Sequence, residues 1–332
     1  MKITTRVAAA KFTVGISLLG AAVGASADGW DPTSQASTIG SIANTRHNLT
    51  VGYSSNGVIM DFARNNYGAI CVYCHTPHGS NKQIQAPLWN RTVNSGSNYT
   101  IYDKPTTLMR PIGMPGPNSL TCLSCHDGTI TIDSVLNMPG SGLEPLNGGL
   151  SNNEVGTSNT AFLDQWTAAG FAGTSGNHFT LGPELGVGDI STACALCHST
   201  PGSPIPDYRV FMLGTDLRND HPVGVQFPDT FGPGIDFNEP NVKLAGKMAI
   251  FDLDGDGHAD SNEVRLYDTG DGYEVECASC HDPHGVPSNG PGSRFNPSFL
   301  RVNNGITDTS GAGTSGLTSD GPSALCLTCH AK

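Results

Sequence analysis

Cys71-Val72-Tyr73-Cys74-His75-Thr76-Pro77-His78-Gly79 decides how the rest of the chain is read. Two cysteines three apart, followed at once by histidine, form the attachment signature of c-type haem. On one helical turn the residues i and i+3 share a face, so both thiols reach the vinyl groups of one porphyrin while His75 meets the iron. His78 lies three residues further on, ~5 Å away along a helix or roughly 10 Å along an extended stretch that Pro77 would impose. Neither arrangement takes its imidazole to the far face of the same haem. If His78 binds iron, the iron belongs to a second haem, and the stretch reads as a clamp on two redox centres.

The same signature accounts for all ten cysteines. They pair as Cys71 and Cys74 before His75, Cys122 and Cys125 before His126, Cys194 and Cys197 before His198, Cys277 and Cys280 before His281, and Cys326 and Cys329 before His330. Five disulfides would explain neither the constant two-residue gap nor the histidine after each pair, and zinc sites do not require that histidine. Of eleven histidines, five are then proximal ligands and six are spare. His47, His78, His178, His221 and His284 are the candidate distal ligands, with His258 left over. Methionine is the rival sixth ligand, offered by Met60, Met109, Met114, Met138, Met212 and Met248. The supply of imidazoles favours bis-histidine ligation throughout.

Composition sets the frame for these sites. Lys2, Arg6 and Lys11 precede an apolar run from Phe12 to Val23, and Ala25-Ser26-Ala27 offers a cleavage site, so residues 1–27 read as a signal peptide. Export agrees with the compartment in which c-type haem is attached. No later stretch is long and apolar enough to span a bilayer. Loss of the three leader cations takes the net charge from −12 to −15, which makes nucleic acid and anionic membranes poor partners. With 42 glycines, 22 prolines and 37% hydrophobic residues, the chain looks short of material for an ordinary core. The expected fold is therefore mostly irregular, with short helices at the CxxCH sites and a stack of haems as the core.

An internal repeat organises the mature chain. Cys277-Ala278-Ser279-Cys280-His281-Asp282-Pro283-His284-Gly285 repeats the clamp, and Pro297-Ser298-Phe299-Leu300-Arg301 resembles Pro87-Leu88-Trp89-Asn90-Arg91. Each clamp is followed by a second site, 51 residues on at Cys122 and 49 residues on at Cys326. The expected organisation is an arm over 28–70, a first haem-pair module over 71–135, a middle haem region over 136–250, an acidic loop over 251–264 and a second haem-pair module over 265–332. In each module the clamp's last histidine is expected on the following haem: His78 on that of Cys122 and Cys125, and His284 on that of Cys326 and Cys329.

The acidic loop carries a different metal signature. Asp252-Leu253-Asp254-Gly255-Asp256-Gly257-His258-Ala259-Asp260-Ser261-Asn262-Glu263 fills the keyed positions of a twelve-residue calcium loop. Asp252, Asp254, Asp256, Asp260 and Glu263 are the expected side-chain ligands, with His258 contributing its main-chain carbonyl. A single unpaired loop points to a structural Ca2+ site. The expected cofactors are thus five c-type haems and Ca2+.

The clamp, the arm segment Thr45-Arg46-His47-Asn48-Leu49, Asn219-Asp220-His221-Pro222 and the ending Cys326-Leu327-Thr328-Cys329-His330 together resemble a known group. It is that of the outer-surface multihaem c-type cytochromes which build extracellular cytochrome filaments, including OmcS and OmcE. The chain differs from those two in having five sites rather than six or four. The resemblance implies a polymer that passes electrons through a continuous stack of closely packed haems to external acceptors, secreted to the cell surface, with His47 ligating a neighbouring subunit's haem. It also implies redox partner proteins and no catalytic residues. A monomeric periplasmic or surface shuttle uses the same ligands without self-association. A multihaem reductase needs an iron with an open face, often marked by lysine in place of the motif histidine, and no site here shows that replacement.

Overall fold

A computed structural model describes residues 40–50, 69–94, 98–102, 110–130, 132, 135–137, 211–244, 246–287, 295–302 and 323–331. The leader, most of the arm, His178 and the expected middle haem site of Cys194, Cys197 and His198 lie outside the described residues.

The largest regular unit is a five-stranded antiparallel sheet. Its strands are β1 (Val225–Gln226), β2 (Val242–Leu244), β3 (Met248–Ile250), β4 (Arg265–Asp268) and β5 (Tyr273–Val275). They run in the order β1-β5-β4-β3-β2, so four strands form a meander and β1 closes its far edge beside β5. Ala249 faces Leu266 at the centre of the register, and both are fully buried. Alternate residues of a strand point to one face, so this pair shares a side with Phe251 and Val264. Phe227 completes the cluster, meeting Phe237 and Phe251 edge to face at 5.3 and 6.0 Å between ring centres. Burying each of these side chains is worth about 1.5–3 kcal/mol.

Three short α-helices coincide with cysteine pairs: α1 (Pro117–His126), α2 (Cys277–Cys280) and α3 (Ala324–Cys329). Pro117 at the first helical position suits α1, because its missing N–H is one that a helix start leaves unpaired anyway. Ser323 caps α3 by accepting from Cys326 N. Leu325 and Cys329, one turn apart, lay α3 on the sheet cluster. Cys71–Tyr73 forms a single 3-10 turn, with Val72 and Tyr73 packed on Val135, Leu49 and Cys74. A third cluster joins Tyr99, Leu123 and Leu217.

This arrangement corrects the expected fold class. Short helices do sit at the cysteine pairs, but the core is a β-sheet and three clusters of side chains, not a coil-rich wrapper with a haem stack for its interior. The strands hold only two to four residues, too few for apolar alternation to show in a sequence rich in glycine and proline.

Candidate functional site

The two clamps are built by the same device. In the first, His75 bridges to Trp89 as an isolated antiparallel pair; Thr76 N donates to Leu88 O and Asn90 N to Cys74 O. In the second, His281 bridges to Leu300; Asp282 N donates to Phe299 O and Arg301 N to Cys280 O. The structural counterpart of Arg301 is therefore Asn90, one residue away from the register that the Pro87–Arg91 and Pro297–Arg301 runs imply. Side chains agree with the shift: Asn90 Nδ2 donates to Val72 O at 2.7 Å and Arg301 Nε to Ala278 O at 3.0 Å, and each carbonyl lies one residue after the clamp's first cysteine. Leu88 and Phe299, equivalent in this register, both take a left-handed backbone (φ 55° and 61°). That costs a side-chain-bearing residue about 1–2 kcal/mol and holds only where the surroundings enforce it.

Arg91 is thereby freed for another task. Fully buried, it donates to Ser124 Oγ, Ser124 O and Ile132 O, tying the first clamp to α1 between Cys122 and Cys125. Helix α1 in turn packs on α2. Between them lies Glu276, which accepts from Gly116 N at 3.0 Å, from Ser119 Oγ, and through a capping box from the first turn of α2. One carboxylate so caps two cysteine-bearing helices, and burial pushes it up to about 7. Across the same contact Cys122 and Cys277 lie close enough to shift each other, while the Cys122 thiol donates to Asn118 O at 3.7 Å.

The imidazoles converge in pairs. His75 and His284 lie with ring centres 6.3 Å apart and planes 9° apart. His47 and His126 are also 6.3 Å apart, with planes at 69°. In each of the four rings Nδ1 is engaged: His75 with Pro87 O at 3.0 Å, His47 with Pro283 O at 2.7 Å, His126 with Phe211 O at 2.8 Å and His284 with Asp282 Oδ1 at 3.1 Å. That leaves Nε2 as the ligating nitrogen and fixes its tautomer, which is how metal-bound histidines are oriented.

Burial lowers His47 to about 4, and His75 and His126 also fall below the usual histidine value, chiefly through desolvation. These three rings are therefore neutral at pH 7, the form that binds a metal, whereas the hydrogen bond to Asp282 raises His284 above the usual histidine value. His126, His284 and His281 all act electrostatically on His47, so the two pairs are neighbours. Burial likewise holds Cys74 up to about 12 and Cys280 up to about 11, keeping them neutral thiols rather than the thiolates that bind zinc. Trp89, edge-on to His75 at 5.8 Å, has its Nε1 buried with no acceptor among the described residues. A buried donor of that kind fits a ligand that brings an acceptor of its own to the His75 side.

Several expected placements are corrected. His284 does not pair with the site of Cys326 and Cys329; it faces His75, across the two repeats. His47 faces His126 of its own chain, the position expected for His78, and stacks on Phe299 at 4.1 Å. His281 Nδ1 meets Ser298 O, the exposed His221 Nδ1 meets Pro222 O, and the His330 ring lies 4.9 Å from Phe237. Imidazoles thus meet across the two repeats, through His75 and His284. No sequence signal distinguishes such a meeting from pairing within one repeat.

Helix packing brings cysteines of three sites close together: Cys125, half-buried on α1, acts electrostatically on Cys74 of the first clamp, and Cys277 of the second on Cys122. Cys194 and Cys197, the expected anchors of the middle haem, lie outside the described residues.

The acidic loop joins β3 to β4. Asp252, Asp254 and Asp256 bring carboxylate oxygens within 4.8 Å of one another. Asp260, Glu263 and His258 are not part of this cluster. Glu263, almost fully buried, uses its carboxylate to accept from Leu253 N and Asp260 N, and Asp252 accepts from Gly255 N and Gly257 N. The expected six-residue Ca2+ ligand set contracts to three aspartates, and much of the loop's acidity goes into its own turns.

No protein-family model and no curated protein matches the chain. The resemblance to the filament cytochromes is accordingly withdrawn. So are the functions that depended on it, conduction along five closely packed haems and the cofactor set of five haems with Ca2+. The sheet and side-chain clusters occupy the place assigned to a continuous stack, and the described acidic cluster is limited to three aspartates.

Proposed function

We propose that the described part of the chain is a metal-ion-binding module with two sites, one between His75 and His284 and the other between His47 and His126. The observation that carries this reading is the pairing itself: two sets of rings at 6.3 Å, every Nδ1 committed to an acceptor. An ion held this way would take Nε2 of each ring as a ligand, while the Nδ1 contacts keep the rings in the ligating tautomer. The net charge of −12 favours a cationic ligand.

The test titrates full-length protein with Cu2+ and follows nitrogen hyperfine structure by electron paramagnetic resonance. The wild type should bind two imidazole-ligated ions; His284→Ala and His47→Ala should each lose one, the double variant both, and His78→Ala neither. A wild type without imidazole-ligated ions, or single variants that bind as the wild type does, would sink the proposal.

A further inference from the structure

The two clamps share a backbone but differ in the residue that bridges to the clamp histidine: Trp89 meets His75, and Leu300 meets His281. An apolar side chain therefore suffices for packing at that place, and Trp89 adds an N–H. Its indole lies edge-on to His75 with ring centres 5.8 Å apart, and the residue is 9% exposed. Nε1 is buried with no acceptor among the described residues, a state that protein interiors rarely leave uncompensated. The His75/His284 pair is itself incomplete. Two Nε2 atoms supply two ligands, whereas zinc takes four and Cu2+ prefers a tetragonal set. Among the described residues, Asp252, Asp254 and Asp256 form the one group of three or more potential ligands, so no third side chain joins either imidazole pair. Charge does not separate the two sites: Asp282 and Arg301 both act on His284, and Asp127 and Arg91 both act on His126. The indole N–H does separate them, because the ring stacked on His47 is that of Phe299, which has no donor.

We infer that the His75/His284 site takes its metal ion together with a small carboxylate, selected by Trp89, a deepening that rests on the reading above. One carboxylate oxygen fills an open position on the ion while the other accepts from Trp89 Nε1. Two oxygens on one carbon let a single group meet metal and indole together, and a hydrogen bond to a charged acceptor is stronger than one between neutral partners. Chloride, a single atom, meets only one of them. A chain of net charge −12 does not draw the anion by itself, so the carboxylate follows the metal rather than preceding it. The His47/His126 site, with Phe299 in place of an indole, lacks this selection.

The experiment adds acetate to the Cu2+-loaded full chain and follows binding by calorimetry and by 13C-acetate hyperfine coupling in electron paramagnetic resonance. His47→Ala leaves the His75/His284 site to be read alone, and His284→Ala leaves the other. Acetate should bind the first variant about tenfold tighter than the second, the effect of one hydrogen bond to a charged acceptor, and should bind neither without Cu2+. Trp89→Phe, which removes the N–H and keeps a ring, should weaken acetate about tenfold in the His47→Ala background and chloride far less. Equal acetate affinities at the two sites, or equal losses of acetate and chloride, would overturn the inference while sparing the two-site reading. A wild type without imidazole-ligated Cu2+ would remove that reading and the inference with it. If Trp89→Phe does not accumulate, ultraviolet resonance Raman of the wild type decides. One of the three indole N–H bands should move to the hydrogen-bonded position when acetate joins Cu2+, and three unmoved bands would overturn the inference.

Discussion

The two clamps, Cys71–Gly79 and Cys277–Gly285, have one backbone design and different supports. Each lays the residues around its histidine against a short segment that turns through a left-handed residue, Leu88 in one and Phe299 in the other. In the first clamp the segment is held by a neutral amide, Asn90, which spans Val72 O and Asn137 O. In the second it is held by a buried guanidinium, Arg301, which spans Ala278 O, Ser261 O and Asp282. Before the first cysteine the contrast is the same: Ile70 gives its turn no side-chain cap, whereas Glu276 caps α2 and reaches across to α1. A repeated backbone motif thus persists while its polar supports diverge from neutral to ionic. Both clamps also reach α1, the first through the buried Arg91 and the second through Glu276, and Arg301 ties the second to the acidic loop at Ser261 as well.

The largest expected difference between the clamps comes from removing their central supports. Arg301→Ala leaves the Asp282 charge buried without its cation and two carbonyl acceptors, Ala278 O and Ser261 O, short of a donor, and should cost about 3–5 kcal/mol. Asn90→Ala removes neutral hydrogen bonds only and should cost about 1–3 kcal/mol. Denaturant unfolding of the two variants checks the order, and equal losses would break the distinction between ionic and neutral support.

Next in size is a pH dependence confined to the second clamp. Unfolded, a glutamate releases its proton near pH 4.5; folded, Glu276 holds it until about 7. Between those values the native state carries a proton that the unfolded chain has lost. The stability tied to this carboxyl is therefore greatest below pH 4.5 and falls as pH rises to 7, by up to about 3 kcal/mol. Subtracting the profile of Glu276→Gln from that of the wild type isolates the slope from that of His47, which runs the other way. There the folded value of about 4 lies below the ordinary 6.5, so stability falls as pH drops through that window. A flat difference would show that Glu276 is ionised in the folded protein.

The smallest contrast concerns the glycine that ends each clamp. Gly79 and Gly285 both have left-handed backbones, φ 69° and 87°, so alanine at either should cost about 1–2 kcal/mol in strain. At Gly79 an added Cβ meets the Asn137 amide at 3.1 Å, a group able to shift. At Gly285 it meets the Phe295 ring at 2.7 Å and Thr45 at 2.8 Å, beside the arm that carries His47. Gly285→Ala should therefore cost about 1–3 kcal/mol more than Gly79→Ala by thermal melting, the range for overpacking. Equal costs would mean that the arm is not seated against the second clamp.

Residue spacing determined the cysteine pairs, the histidine after each one and the existence of two clamps, because those intervals span only a turn or two of chain and are read directly from it. It also marked every spare imidazole that turns up in a pair. The sheet was hidden, since strands of two to four residues carry no readable period. Pairing was hidden too. His284 meets His75 from 209 residues away and His47 meets His126 from 79, contacts that local spacing cannot encode. The one-residue shift that makes Asn90 the counterpart of Arg301, and leaves Arg91 to bind α1, follows from backbone hydrogen bonds formed only after the chain has closed on itself. What tertiary structure decided was which imidazole faces which, for the physical reason that a ring's partner depends on the packing of arm, clamp and helix together.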